Sequence, residues 1–172
     1  MKKIKMKKTS TTALILITML LMSSCGIYSL SGAKIDAETI QVDYFPNVAN
    51  LVEPSASQKF TLALQDLFLQ QSSLDLVKSG GDLEFQGEIV DYKIRPTSAT
   101  ADQTASYNRL TITVNVRFYN HDSEEDNFEK KFSHFYDFKA NTQLSGGTLD
   151  EAFQVIFGRI TQDVFNESVA KW

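Results

Sequence analysis

The chain has 172 residues, enough for one domain with a hydrophobic core and too few for two domains of ordinary size. Five of its 17 basic residues fall within the first eight positions. Residues 25–172 therefore carry 12 basic against 21 acidic side chains, a net charge near −9. Such an acidic surface disfavours non-specific binding to nucleic acid, and we predict no nucleic-acid partner.

The N-terminal segment has the three parts of a secretory signal peptide. Residues 1–8 are rich in lysine and contain no acid, residues 13–22 (ALILITMLLM) are apolar except for one threonine, and two serines precede Cys25. An N-terminal transmembrane anchor is the alternative, but a helix needs about 20 apolar residues to span a bilayer, and this block is only half as long. We predict that residues 1–24 form a signal peptide.

Cys25 is the only cysteine, so it cannot form an internal disulfide bond. It could be a stray thiol, an intermolecular bridge or a processing site. Its position favours processing, because MSSC resembles a bacterial lipobox, with Met22 at the place where leucine is preferred. We expect cleavage before Cys25, its lipidation, and a domain of residues 25–172 that several acyl chains hold at a membrane.

The domain begins with strand-like alternation. Ile40, Val42 and Tyr44 alternate with polar residues and precede a proline, which predicts a short strand. Tyr28 and Leu30 alternate in the same way and predict a further short strand or bulged edge nearer the N-terminus. These strands would lie at the start of the fold, before its first helix.

A helix is predicted next, with a capping box formed by Ser55 and Gln58. Its apolar residues recur at helical spacing: Phe60, Ala63, Leu64, Leu67 and Phe68. We interpret this stripe as the core face of an amphipathic helix, with a lipid groove or a partner surface as the alternative.

Three strand-like stretches follow the helix. In DLEFQGEIVDYKIRP the apolar residues change parity, which predicts a bulge near Gly87 or a strand covered on both faces. SYNRLTITVNVRFYN alternates throughout and predicts an antiparallel strand with one solvated or partner-covered face. The third stretch, NFEKKFSHFYDFKA, follows an acidic hairpin loop. The polar side of the middle strand consists of Thr111, Thr113, Asn115, Arg117 and Tyr119.

The last element is a second helix, with a capping box formed by Thr148 and Glu151 after two glycines. Its apolar face runs over Leu149, Ala152, Phe153, Ile156, Phe157, Ile160 and Val164. The element order predicts an α+β fold: a two-layer sandwich in which two helices pack on one face of a mostly antiparallel sheet of about four strands. The other face of the sheet would be polar and open.

No catalytic constellation is visible in the sequence. His121 falls in the acidic loop and His134 in an aromatic strand, and neither has a nucleophile or an orienting acid at a recognisable spacing. The glycine pairs lack the lysine and hydroxyl residue of a phosphate loop. We predict no enzymatic activity, no metal site and no cofactor.

The third strand-like stretch is unusually aromatic. It contains Phe128, Phe132, Phe135, Tyr136 and Phe138, which cannot all point inward from one strand. The outward members could pack at a sheet edge or under a loop, or they could form an exposed surface for a protein partner. Both interpretations stay open.

The sequence from CGIYSLSGAKI through TIQVDYFPNVA, followed by a helix, three strands and a helix, resembles the LptE family of lipopolysaccharide-assembly lipoproteins. This resemblance implies an anchor in the inner leaflet of the outer membrane and a plug within an LptD-type β-barrel, the partner with which it would insert lipopolysaccharide. A periplasm-facing lipoprotein that binds a soluble ligand or assists a transporter is the alternative.

Contact with anionic lipopolysaccharide would require clustered cations. Arg95 and Arg109 flank the polar stretch TSATADQTAS, and Lys130 and Lys131 follow the acidic loop. These four residues are the candidate lipopolysaccharide or partner contacts. The alternative is that they are ordinary solvated charges at strand ends.

Overall fold

A computed structural model describes residues 37–51, 53–97 and 106–169. These ranges contain five strands and two long helices: β1 (Thr39–Val42), α1 (Pro54–Gln71), β2 (Asp75–Val77), β3 (Leu83–Thr97), β4 (Tyr107–Asn120), β5 (Phe128–Lys139) and α2 (Gly146–Ser168). A 3-10 turn, Glu124–Asp126, lies in the acidic loop between β4 and β5. The predicted lipidation site at Cys25 and the strand predicted at Tyr28 lie outside the described residues.

The five strands form one mixed sheet in the order β2-β1-β3-β4-β5. β3, β4 and β5 are antiparallel neighbours, whereas β1 pairs in parallel with both β2 and β3. Helix α1 supplies the crossover that parallel β1 and β2 require. The predicted α+β fold with two helices on one sheet is confirmed, with one more strand. β2 was not predicted because its three residues are too few to show alternation.

The change of parity in β3 is a bulge, as predicted, and it lies three residues beyond Gly87. The register with β4 shifts between Ile89 and Asp91, so Val90 is the extra residue. Gly87 is required for packing, because a side chain at this position would clash with neighbouring atoms. A Cβ at Gly87 would lie 2.1 Å from the carbonyl oxygen of Asn115 and 2.5 Å from the ring of Phe45. Glycine therefore allows Phe45 to pack against the sheet.

Both helices begin earlier than the sequence predicted. The N-cap of α1 is Glu53, whose carboxylate accepts hydrogen bonds from Ser55, and Pro54 occupies the first turn. The N-cap of α2 is Ser145. The two predicted capping boxes are therefore wrong, because their hydroxyl residues lie inside the first turns. No described helix is long and apolar enough to cross a membrane.

The core lies between the helices and the sheet and is built largely from phenylalanine. Phe60 of α1 contacts Phe157 of α2 at 5.4 Å between ring centroids. Phe85 of β3 lies 4.9 Å from Phe68 and 4.8 Å from Phe118. The apolar stripes predicted for both helices pack against this core, except for Leu67, which is partly exposed and lines the groove between the helices. The core uses one face of the sheet and leaves the other to polar residues.

Candidate functional surface

The polar side of the sheet is formed by those residues of β3, β4 and β5 that point away from the core. On β4 these are Tyr107, Arg109, Thr111, Thr113, Asn115, Arg117 and Tyr119. Beside them lie Glu84, Gln86, Glu88, Asp91, Lys93, Arg95 and Thr97 of β3 and Glu129, Lys131, Ser133, Phe135, Asp137 and Lys139 of β5. We call this surface the open face. The prediction of a polar sheet face is confirmed.

A four-residue network occupies the half of the open face nearer the acidic loop. Arg117 binds Glu88 through two hydrogen bonds of 2.9 and 3.1 Å, in the geometry that a guanidinium and a carboxylate favour. The side-chain amide of Asn115 donates to Glu88 at 2.9 Å and to Glu129 at 2.7 Å. Hydrogen bonds from Arg117 lower the pKa of Glu88, and the same hydrogen bonds raise the pKa of Arg117. The network keeps these side chains charged and fixed.

A second ion pair lies toward the opposite end of the open face. Arg109 binds Asp137 through Nε at 2.7 Å and through Nη2 at 2.8 Å. Its guanidinium also lies 3.6 Å from the centroid of the Phe135 ring, a cation–π contact. The hydrogen bonds from Arg109 lower the pKa of Asp137. Phe135 is therefore an outward aromatic residue that supports a charged pair.

Several cationic residues lie near Arg109, at the end of the sheet where β3 ends and β4 begins. Arg95 of β3 is paired with Arg109 of β4, and Lys93 lies two residues before Arg95 on the same side of β3. Lys139 of β5 is paired with Tyr107 of β4. Two residues of the same charge that face each other across a strand pair destabilise it. A binding role would explain why Arg95 and Arg109 occupy such positions. Neither Arg95 nor Lys139 has an ion-pair partner among the described residues.

The structure brings together only two of the four predicted contact residues. Arg95 and Arg109 are cross-strand neighbours, as their positions at the two ends of one loop suggested. Lys131 shares the open face but lies six residues along β5 from the level of Arg109, about 20 Å away. Lys130 points to the helix side and forms an ion pair with Glu167 at 2.6 Å. The four residues therefore do not form one patch, because consecutive strand residues face opposite sides, and their contact with lipopolysaccharide or a partner stays a prediction.

The two histidines are engaged in pairs with carboxylates. His121 lies 3.2 Å from Glu84, and His134 lies 2.6 Å from Asp163 of α2. Among the residues that the structure describes, no group of three or more His, Cys, Asp or Glu side chains is placed to hold a metal ion. Shallow grooves of about 430 and 550 Å³ lie between β5 and α2 and between the two helices. The absence of catalysis stays a prediction.

Sequence reasoning missed the partnership of Glu88, Asn115 and Glu129 with Arg117. Each residue was visible as a polar position, but their contacts depend on the register of three strands. It also missed Lys93 and Lys139, whose side of the sheet follows from the bulge and from the pairing of β5. Alternation within one strand shows which residues share a face, and only the register shows which ones touch.

The family of the chain follows from a match over most of its sequence. The family model described as "LptE: Lipopolysaccharide-assembly" matches residues 37–168, which include all seven strands and helices above. The chain belongs to the LptE family. No curated protein matches the chain significantly.

Several solved structures resemble this LptE-family chain in fold. A minor lipoprotein from Acinetobacter baumannii is 8% identical, with a TM-score of 0.50 over 77% of this chain and 93% of that one. Rare lipoprotein B from Shewanella oneidensis is 10% identical, with a TM-score of 0.42 over 74% and 89% of the two chains. An uncharacterized lipoprotein B from Nitrosomonas europaea is 12% identical, with a TM-score of 0.45 over 81% and 91%.

Proposed function

We propose that this chain is a lipoprotein of the outer membrane, anchored through Cys25 in the periplasmic leaflet, that works with an LptD-type β-barrel in lipopolysaccharide transport. The match of the lipopolysaccharide-assembly family to residues 37–168 is the observation that carries this proposal. In this role the chain plugs the barrel and assists its assembly, and its residues perform no chemistry. The lipobox-like MSSC stretch supports the anchor.

The open face is the surface suited to a barrel interior. The lumen of a membrane β-barrel is polar, and strands present polar residues to it. The open face offers six cationic and five acidic side chains on β3–β5, several fixed in pairs such as Arg117–Glu88 and Arg109–Asp137. Fixed charges favour a specific polar contact, because their side chains lose little freedom on binding.

The cationic end of the open face is suited to phosphate groups. Arg95 and Arg109 face the same way, and Arg95 has no competing carboxylate among the described residues. Guanidinium groups bind phosphate through paired hydrogen bonds. We infer that lipopolysaccharide phosphates contact this end when the chain takes part in transport.

Co-purification tests the partnership. The tagged full chain, extracted from its cells in mild detergent, should bring down a large β-barrel partner. Recovery of the chain without any barrel would contradict the proposal. A Cys25→Ala variant tests the anchor separately: it should leave the outer-membrane fraction, and a variant that stayed there as firmly as the parent would refute lipidation at this residue.

Two double variants with equal loss of charge test the phosphate contact. Arg95→Gln with Arg109→Gln removes two cations from the open face. Lys78→Gln with Lys130→Gln removes two exposed cations that lie outside the open face. Lys78 follows β2 directly, and Lys130 lies on the helix side of β5. Lipopolysaccharide binding, measured by titration of the detergent-solubilised protein, should weaken about tenfold or more in the first variant. Equal weakening in both variants would mean that only overall charge matters.

A further inference from the structure

Strand β5 forms one edge of the sheet. Among the described strands it pairs with β4 alone; it has 12 residues and contains neither proline nor a bulge in that pairing. None of the described strands pairs with its outer side. Proteins usually shorten, kink or cover such an edge, because its free backbone groups can pair with another strand. A long regular edge is therefore a candidate surface for strand addition.

The backbone groups at this edge belong to the odd-numbered residues. The amide of Ala140 donates to the carbonyl oxygen of Ser106 at 2.9 Å, which places the backbone groups of the even-numbered residues toward β4. The six odd-numbered residues between Glu129 and Lys139 therefore direct their N–H and C=O groups outward. Their side chains lie on the open face.

The charges that β5 places on the open face are antisymmetric about His134, and Lys130, which lies on the helix side, is not part of this pattern. Glu129 and Lys139 lie five residues to either side of His134, and Lys131 and Asp137 lie three residues to either side. A two-fold axis through His134 would place each member of these pairs opposite a residue of the other charge. The same axis sets Phe132 opposite Tyr136, an aromatic pair of the kind that stabilises antiparallel strands.

We propose that β5 pairs with β5 of a second copy of this chain, antiparallel and centred on His134, so that two five-stranded sheets join into one. Each odd-numbered residue from Glu129 to Lys139 would then donate and accept one hydrogen bond across the axis. The glutamate–lysine and lysine–aspartate pairs fix the register. The partner is a second copy because the charge pattern complements itself.

Neighbouring registers are less complementary. Moving the axis by one residue to Ser133 sets Glu129 opposite Asp137, and moving it to Phe135 sets Lys131 opposite Lys139. Like charges in opposite positions destabilise a strand pair. The open-face charges of β5 thus favour the register centred on His134 and oppose its neighbours.

Two cysteine variants test the register in the full lipoprotein, purified in mild detergent without any barrel partner. In the proposed register two copies of His134 form a non-hydrogen-bonded pair with Cα atoms about 4.5 Å apart, within disulfide range. Two copies of Ser133 are more than about 7 Å apart and out of range. On oxidation His134→Cys should give a covalently linked dimer, whereas Ser133→Cys, like the parent, should form no disulfide-linked dimer. Dimers of Ser133→Cys alone, or of neither variant, would overturn the proposal.

Charge reversal tests the pairing without cysteine and without altering His134. Lys139→Glu and Glu129→Lys each place two like-charged pairs across the axis, and each should weaken dimerisation about tenfold in sedimentation equilibrium. The double variant restores opposite charges and should recover most of the affinity. A double variant as weak as the singles, or singles as strong as the parent, would contradict pairing in this register. Neither assay includes the barrel, so the outcome is independent of the proposed transport function.

Discussion

The two faces of the sheet use similar residues for opposite purposes. On the covered face Phe85 is fully buried and packs between Phe68 and Phe118. On the open face Phe135 is 40% exposed and lies beneath the guanidinium of Arg109. Because burial of apolar side chains is the main source of stability, the covered face stabilises the fold more than the open face does. The open face can therefore carry charges for recognition at little cost to the fold.

A matched pair of truncations should give the largest difference between the faces. Phe85→Ala opens a cavity in the core and should lower the free energy of unfolding by about 3–5 kcal/mol. Phe135→Ala removes an exposed ring and one cation–π contact and should cost about 1 kcal/mol or less. Urea unfolding of both variants measures the contrast. Equal losses would mean that the open face is covered as well.

Within the open face, the fixed network should matter more than the free cations. Arg117→Leu leaves the carboxylate of Glu88 without its two charge-assisted hydrogen bonds and should cost about 1.5–3 kcal/mol. Arg95→Leu removes a cation that has no ion-pair partner among the described residues, and should change stability by less than about 0.5 kcal/mol. If the Arg95 variant lost as much stability as the Arg117 variant, the network would not be the stabilising element of this face.

A smaller effect concerns pH. The folded-state pKa of Glu88 lies below its ordinary value of 4.5, chiefly because Arg117 donates hydrogen bonds to its carboxylate. A carboxylate with a depressed folded-state pKa stabilises the protein above its unfolded-state pKa, and this stability is lost as the pH falls through the folded-state value. Between about pH 5 and pH 3 the parent should lose stability more steeply than Arg117→Leu. Identical slopes would contradict this coupling.

The sequence was informative where one strand or helix decides the structure. Alternation in β4 predicted both of its faces, and helical spacing predicted the core stripes of α1 and α2. It failed where the answer depends on several strands at once. The exact position of the β3 bulge, at Val90, follows from the register with β4, and Lys130 lies apart from the open face because it is paired with core-facing Val116.

The candidate surface was predictable in its polarity but not in its contacts. Arg95 and Arg109 were recognised because both flank one loop, so their proximity needed only a hairpin. The pairing of Arg109 with Asp137 required the register of β5, 28 residues away in sequence. The strand β2 escaped prediction because a three-residue strand gains its stability from neighbours and carries no pattern of its own.

Site-specific photo-crosslinking in living cells tests most directly whether the open face is the working face. A probe replaces Thr113, which lies at the middle of the open face, and a matched probe replaces Gln154, which is exposed on α2. We predict that the probe at position 113 crosslinks to a large β-barrel protein of the outer membrane and that the probe at position 154 does so much less. Crosslinks to the barrel from α2 alone would contradict the account.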